Sequence, residues 1–248
     1  MTLDARRLEE LSLNSSAPPG QLIYDGWLLR LQPGKAKRAR SINPVFPSTL
    51  PVDHKVAYCE RLYAQAKLPA LFRITPFVTP AGLDGELERR GYGRFDMTAV
   101  ESAAIAAPAA QADGAREVAL PEWVEAVGEL RGSPREHREG HRERLERALL
   151  PMRALALEED GRIIAAGLTV IEADAAGLFD IVTDKACRRR GFGRRLVAAL
   201  LRHAWEAGAR HAYLQVEAEN APARAMYRTF GFSERYLYWY RGREGERH

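Results

Sequence analysis

Residues 178–220 read LFDIVTDKACRRRGFGRRLVAALLRHAWEAGARHAYLQVEAEN. Leu178 to Thr183 is apolar and β-branched, the composition of a buried strand, and from Leu196 onward the apolar residues Leu196, Val197, Leu200, Leu201 and Trp205 recur at helical spacing. Between strand and helix stands Arg188-Arg189-Arg190-Gly191-Phe192-Gly193, where a helix presents its unpaired N–H groups. Gly191 and Gly193 lack Cβ, so the backbone can take angles closed to other residues and a phosphate can approach the amides, while the arginines add charge and forked donors. A dinucleotide fingerprint would need glycine where Leu196 stands, and a G-x-x-x-x-G-K-[ST] phosphate loop occurs nowhere in the chain.

Arg188-x-x-Gly191-x-Gly193, after a strand and opening a helix, resembles the pyrophosphate loop of the GNAT superfamily of acyl-CoA N-acyltransferases. The downstream strand YLQVEAEN and helix APARAMYRTFGF resemble the rest of that family's signature through Asn220, Tyr227, Gly231 and Phe232. The resemblance implies an α/β GNAT fold, a mixed central sheet flanked by helices, with acetyl-CoA as acyl donor and a primary amine attacking it directly in a ternary complex. In that fold the strand before the loop and the strand Tyr213 to Glu217 run parallel but splay apart, and the pantetheine arm lies in the gap. It implies backbone pairing of Ile181, Val182 and Thr183 with the pantetheine, and a pyrophosphate held by Arg188, Arg189, Arg190, Gly191, Phe192, Gly193 and Arg194. Asn220 joins this cofactor-binding set, and Tyr227 faces the cofactor sulfur as general acid. For the base, Asp180 and Glu217 are the carboxylates at hand. Where the ribosomal-protein N-terminal acetyltransferases carry a glutamate, this chain has Gln215, which cannot take a proton.

The rest of the chain bounds this expectation. At 248 residues, 46% hydrophobic and 28% charged, the composition is that of a globular protein of one large or two small domains. No apolar run approaches the roughly 20 residues of a membrane helix, and MTLDARRLEE lacks a signal peptide's apolar core, so a cytoplasmic location is expected. Cys59 and Cys187 form no CxxC pair, which indicates neither a disulfide scaffold nor a zinc site. A net charge of +4 and a pI of about 9.2 fit a polyanionic ligand. Nucleic acid ranks last, because no aromatic-and-basic interleaving is present; it would spread the arginines over one broad face, whereas a cofactor would gather them at one loop. A non-catalytic acyl-CoA sensor is the other alternative, and the oligomeric state has no signature.

From the N terminus, an amphipathic helix is expected over Thr2 to Leu13, then two strands joined by a Pro33-Gly34 turn, with Trp27, Leu29 and Leu31 on one and Ala39 to Val45 forming the other. A helix from Val52 to Lys67, a strand LFRIT, a helix ending LERRGYG and a strand RFDMTAV follow. The same order recurs later: Gly161 stands 135 residues after Gly26, and Gly231 stands 140 after Gly91. Two GNAT-like domains in tandem are therefore expected, 1–105 a degenerate copy and 114–248 the catalytic one, joined by an Ala-rich linker from Ala103 to Gly114. In the first copy the arginine–glycine loop is replaced by Pro47-Ser48-Thr49-Leu50-Pro51-Val52, with no glycine and two prolines that lack N–H groups. Arg131 to Leu149 reads as a solvated helix laced with i,i+4 ion pairs. His137 and His141 lie one turn apart on it without a third ligand in view, so no metal is assigned.

Overall fold

The computed structural model describes residues 3–107 and 114–245. In chain order its elements are α1 (Ala5–Ser15), β1 (Gln21–Tyr24), β2 (Trp27–Arg30), β3 (Ile42–Pro44), α2 (Val52–Gln65), β4 (Phe72–Ile74), α3 (Leu83–Arg89), β5 (Gly93–Ala104), β6 (Arg116–Glu117), α4 (Leu120–Arg131), α5 (Arg135–Glu146), β7 (Met152–Glu159), β8 (Arg162–Glu172), β9 (Ala175–Thr183), α6 (Phe192–Glu206), β10 (His211–Glu217), α7 (Ala221–Arg228) and β11 (Ser233–Gly242). Among the described residues no helix is long and apolar enough to cross a membrane.

These elements pack into two compact units that interleave in sequence. The larger takes the chain through Ser15, Val100–Val216 and Asn220–Arg235; the smaller takes Ser16–Ala99, Glu217–Glu219 and the chain from Tyr236 onward. Each half of the sequence thus lends a strand segment to the other unit: the end of β5 joins the larger, the end of β11 the smaller. Ala103 and Ala104, expected in a linker, are strand residues, because β5 runs on past the apolar Ala99 and Val100. The rest of that expected linker, 108–113, lies outside the described residues.

In the larger unit the hydrogen-bonded order is β6-β7-β8-β9-β10. β6, β7, β8 and β9 pair antiparallel in turn, and β9 with β10 is parallel. α6 forms because Leu196, Val197, Leu200 and Ala204 fall on one face and are all buried. Burial of each valine or leucine there contributes roughly 1.5–3 kcal/mol. Gly167 on β8 admits that face, since a Cβ there would meet Leu200 Cδ1 at 2.9 Å. Trp123, Val124 and Val127 of α4 pack with Leu145 of α5 on Ala154, Ala156, Ala166 and Leu168. Helix α1 belongs here as well: the Tyr213 hydroxyl donates to Leu11 O at 3.0 Å and shares a 2.7 Å hydrogen bond with Ser15 Oγ.

The smaller unit orders its strands β1-β2-β3-β4-β11. β1, β2 and β3 pair antiparallel in turn, β3 with β4 is parallel and β4 with β11 antiparallel. The expected pair of strands around Pro33-Gly34 is corrected to three strands. Asp25 and Gly26 take φ of 42° and 82°, the left-handed pair that closes a two-residue hairpin, so the chain turns there and β1 pairs with β2 from Gln21 to Arg30. Around Trp27, Leu29, Ile42, Val56, Cys59, Tyr63, Phe72 and Tyr92 lies the core of this unit.

Candidate active site

Strand β9 carries the site's first irregularity. Ala166 faces Val182 and Leu168 faces Phe179, so Asp180 and Ile181 together oppose Gly167 alone, and Asp180 takes a φ of 53°. Such a bulge re-aims side chains and is common beside active sites. Pairing of β9 with β10 runs from Ala175↔His211 to Leu178↔Leu214 and goes no further, while β9 continues to Thr183 and β10 to Glu217. Past Leu178 the residues Phe179, Asp180, Ile181, Val182 and Thr183 are only partly buried.

Where β9 ends, the chain enters the arginine–glycine loop. Arg189 and Gly191 have φ of 65° and 85°, and Gly191 is the residue before α6. No side chain caps this helix N terminus. Its first-turn amides, with the positive end of the helix dipole behind them, are a ready receptor for an anion. A Cβ on Gly193 would lie 3.5 Å from both Thr183 Oγ1 and Met226 Sδ, so the loop, the end of β9 and helix α7 converge at this glycine. Arg188, Arg189, Arg190 and Arg194 are exposed around it, and Phe192 is buried beneath. Arg190 is held by Glu159 at 2.6 Å, and its Nη1 lies 3.8 Å from Cys187 Sγ.

Helix α7 starts at Asn220, whose Oδ1 accepts from Ala223 N at 3.2 Å, with Pro222 in its first turn. In this structure Asn220 acts as a helix cap. Tyr227, the last residue but one of the helix, is 7% exposed and lies 6.0 Å from the Phe232 ring, between ring centroids. Burial, with the charge of Glu101 adding to it, pushes the Tyr227 phenol up to about 12, so at neutral pH it holds its proton.

The two carboxylates considered as bases fare differently from each other. Asp180 accepts from Arg131 Nη1 at 2.7 Å and lies 3.2 Å from His141 Nε2. Burial works to raise the Asp180 carboxyl, but the His141 imidazole and the Arg131 guanidinium, with Arg144 nearby, outweigh it and hold the group well below the usual carboxylate range. A carboxylate so held has little affinity for a proton, which argues against Asp180 as the base. Glu217 is exposed and packs with the smaller unit. Helix α5 carries the expected ion pairs, Arg135 with Glu139 at 2.9 Å and Arg147 with Glu143 at 3.1 Å. It also does more than expected, because His141 leaves the solvent face to meet Asp180 and the Trp123 ring, while His137 is exposed. Two neighbours of the site had no local sequence pattern: the Arg131–His141 clamp on Asp180, and Glu101 beside Tyr227.

Residues 116–232 match the model of the acetyltransferase (GNAT) family. The chain is 29% identical over 241 residues to the uncharacterized N-acetyltransferase YobR of Bacillus subtilis, covering 93% of this chain and 95% of that protein. It is 39% identical over 80 residues to the [ribosomal protein bS18]-alanine N-acetyltransferase of Salmonella typhimurium, a segment that is 32% of this chain and about half, 54%, of that protein. In fold it is similar to a GCN5-related N-acetyltransferase from Kribbella flavida, with a TM-score of 0.69 at 18% identity over 99% of this chain and 97% of the other. It is also similar in fold to a tandem GNAT protein from the clavulanic acid biosynthesis pathway, with a TM-score of 0.54 at 16% identity over 81% and 74% of the two chains. Through residues 116–232 this chain is similar to the GNAT acetyltransferase family, a likeness that supports an acyltransferase.

Proposed function

We propose that the chain moves the acetyl group of acetyl-CoA to a primary amine by direct attack within a ternary complex. The observation that carries this is the uncapped N terminus of α6, whose glycine loop meets the end of β9 and helix α7 at Gly193. The amides from Arg189 to Arg194 hold the pyrophosphate, the unpaired edge of β9 from Ile181 to Thr183 takes the pantetheine, and the arginines supply charge. The Tyr227 phenol, protonated at neutral pH, gives the departing thiolate its proton. Asp180 serves to fix the bulge against α4 and α5 through Arg131 and His141.

We also read the chain as a tandem in which 1–105 is a copy that has lost its donor site and 114–248 is the catalytic copy. Support comes from the repeated pairing pattern, two antiparallel steps and then a parallel one across a helix, in β1-β2-β3-β4 and in β7-β8-β9-β10. Calorimetry with acetyl-CoA should give one site per chain, and a screen of primary amines should find CoA thiol release. Two sites per chain would overturn the lost-copy reading. Binding without release across the screen would make the protein an acyl-CoA sensor.

A further inference from the structure

A transferase acting on an ammonium group must take a proton from it, and none of the residues considered so far is suited to do so. Asp180 is clamped, Gln215 has no basic form, and Glu217 is exposed and packs with the smaller unit. A fourth group, Glu101, lies near the end of β5, in the segment that the first half of the sequence lends to the larger unit. Its side chain is 2% exposed. Oε1 accepts from Arg224 Nε at 2.7 Å, while Oε2 is buried and meets no hydrogen-bond partner among the described residues. Leaving a buried polar atom unmatched is costly, so such an atom calls for a reason.

The surroundings supply one. Arg224 and Tyr227 are three residues apart on α7 and so share a face of the helix. Glu101 binds the first directly and is near enough to raise the phenol of the second. Arg224 is fixed in turn by Glu234, whose Oε2 accepts from Nη2 at 2.7 Å. Among the described residues Glu101 thus has Arg224 and Tyr227 as charged or titratable neighbours, with Glu234 behind the arginine. One carboxylate oxygen is pinned, and the other is free beside the residue assigned to the leaving thiolate.

Resting on the acetyl-transfer reading, we propose that Glu101 Oε2 is the proton acceptor of the reaction, receiving through an ordered water the proton that the acceptor's ammonium gives up. The neutral amine nitrogen then forms its bond to the thioester carbonyl carbon, and the carbonyl electron pair moves onto oxygen. When that pair returns, the C–S bond breaks, its electrons leave on sulfur, and the thiolate takes the Tyr227 proton. The second proton lost by the nitrogen restores the phenol, and Glu101 returns its proton to water. The products are the amide, CoA thiol and one released proton. Glu101 accepts the proton through water, and Arg224, which holds Oε1, is its positioning residue.

The test compares two amines of known protonation, n-propylamine, an ammonium ion at neutral pH, and hydroxylamine, which is already neutral there. CoA release above the uncatalysed background is followed for wild type and Glu101→Gln from neutral to alkaline pH. With n-propylamine the variant should be about 10²-fold slower at neutral pH and should recover as the pH rises, with Glu101→Asp restoring part of the loss. With hydroxylamine it should stay within about threefold of wild type, because no proton need be removed before attack. Equal losses with both amines, or no loss with either, would overturn the proposal and leave the Arg224 bridge a packing contact. Should Glu101→Gln not fold, Arg224→Gln, which keeps the carboxylate and frees Oε1, decides instead: a fall confined to n-propylamine supports the relay, and an equal fall overturns it. A wild-type protein that releases CoA with neither amine overturns the acetyl-transfer reading itself, and the relay with it.

Discussion

Two helices in this chain occupy the same place in their pairing pattern, each crossing between parallel strands, and the loops that lead into them have opposite fates. Before α6 the loop from Arg188 to Gly193 offers its amides with no side chain capping them. Before α2 the loop Pro47 to Val52 is already occupied: the Asp25 carboxylate accepts from Thr49 N at 3.0 Å, from Leu50 N at 2.9 Å and from Thr49 Oγ1 at 2.8 Å. Lys55, with a fully buried side chain, lies 3.1 Å from that carboxylate, reaches Asp25 O and Ser48 Oγ, and sits 4.1 Å over the Trp27 ring. The amides of Leu50 and Thr49 hold the Asp25 carboxyl far below its usual range. Loop amides ahead of a crossover helix can therefore be taken up from within the chain, as Thr49 N and Leu50 N are by Asp25. A hairpin aspartate takes up the amides of one loop, and the other loop carries a pair of glycines instead.

The largest expected effect bears on whether the open site can exist alone. A chain beginning at Gly114 lacks α1 and β5, hence the Ser15 and Leu11 bonds to Tyr213 and the Glu101–Arg224 pair. Circular dichroism should show loss of cooperative unfolding, and full activity from that chain would detach the two halves of the comparison. Tyr227→Phe comes next. Turnover should fall by about 10²- to 10⁴-fold, while acetyl-CoA affinity changes by less than about 1 kcal/mol. If affinity falls and saturated turnover does not, the tyrosine is a cofactor contact.

Gly191→Val tests the open helix start itself. Nothing lies within 4 Å of a Cβ there, but the φ of 85° is closed to a β-branched residue. Acetyl-CoA should bind at least about tenfold more weakly by calorimetry, the equivalent of about 1.4 kcal/mol, with the melting temperature little changed. The smallest effect concerns the closed site. Because the Asp25 carboxyl is depressed in the fold, its stabilisation is complete above its ordinary pKa of 3.8 and is lost as pH falls through the folded value. Asp25→Asn should therefore melt lower at neutral pH, with the difference from wild type shrinking in acid. It should still bind one acetyl-CoA, since Pro47 and Pro51 supply no N–H; a second site would mean that Asp25 alone kept that loop shut.

What could be read in advance followed from local spacing. The apolar rhythm of α6 and the Gly191 turn are written in residues a few positions apart. The Asp25-Gly26 hairpin was equally local, but the Pro33-Gly34 pair competed with it and is nearer the middle of the stretch. Long-range partners left no trace: Glu101 stands in a plain strand sequence, 123 residues from Arg224, and nothing near Asp180 announces that Arg131 and His141 will neutralise it. Those contacts depend on which segments the fold brings together, and no periodicity encodes that.

The exchange of strand segments also sets a timetable for biosynthesis. In the smaller unit β4 pairs with β11, Ile74 opposite Trp239, so one edge of that sheet waits for a strand made long after β4. At about 5–20 residues per second a ribosome needs on the order of ten to thirty seconds to deliver them. Throughout that interval Phe72 and Ile74 lie on an uncovered strand edge, the kind of surface that invites pairing with a neighbouring nascent chain. Completion of the smaller unit then waits for β11, and the yield of folded protein should depend on how well this edge is shielded until that strand arrives.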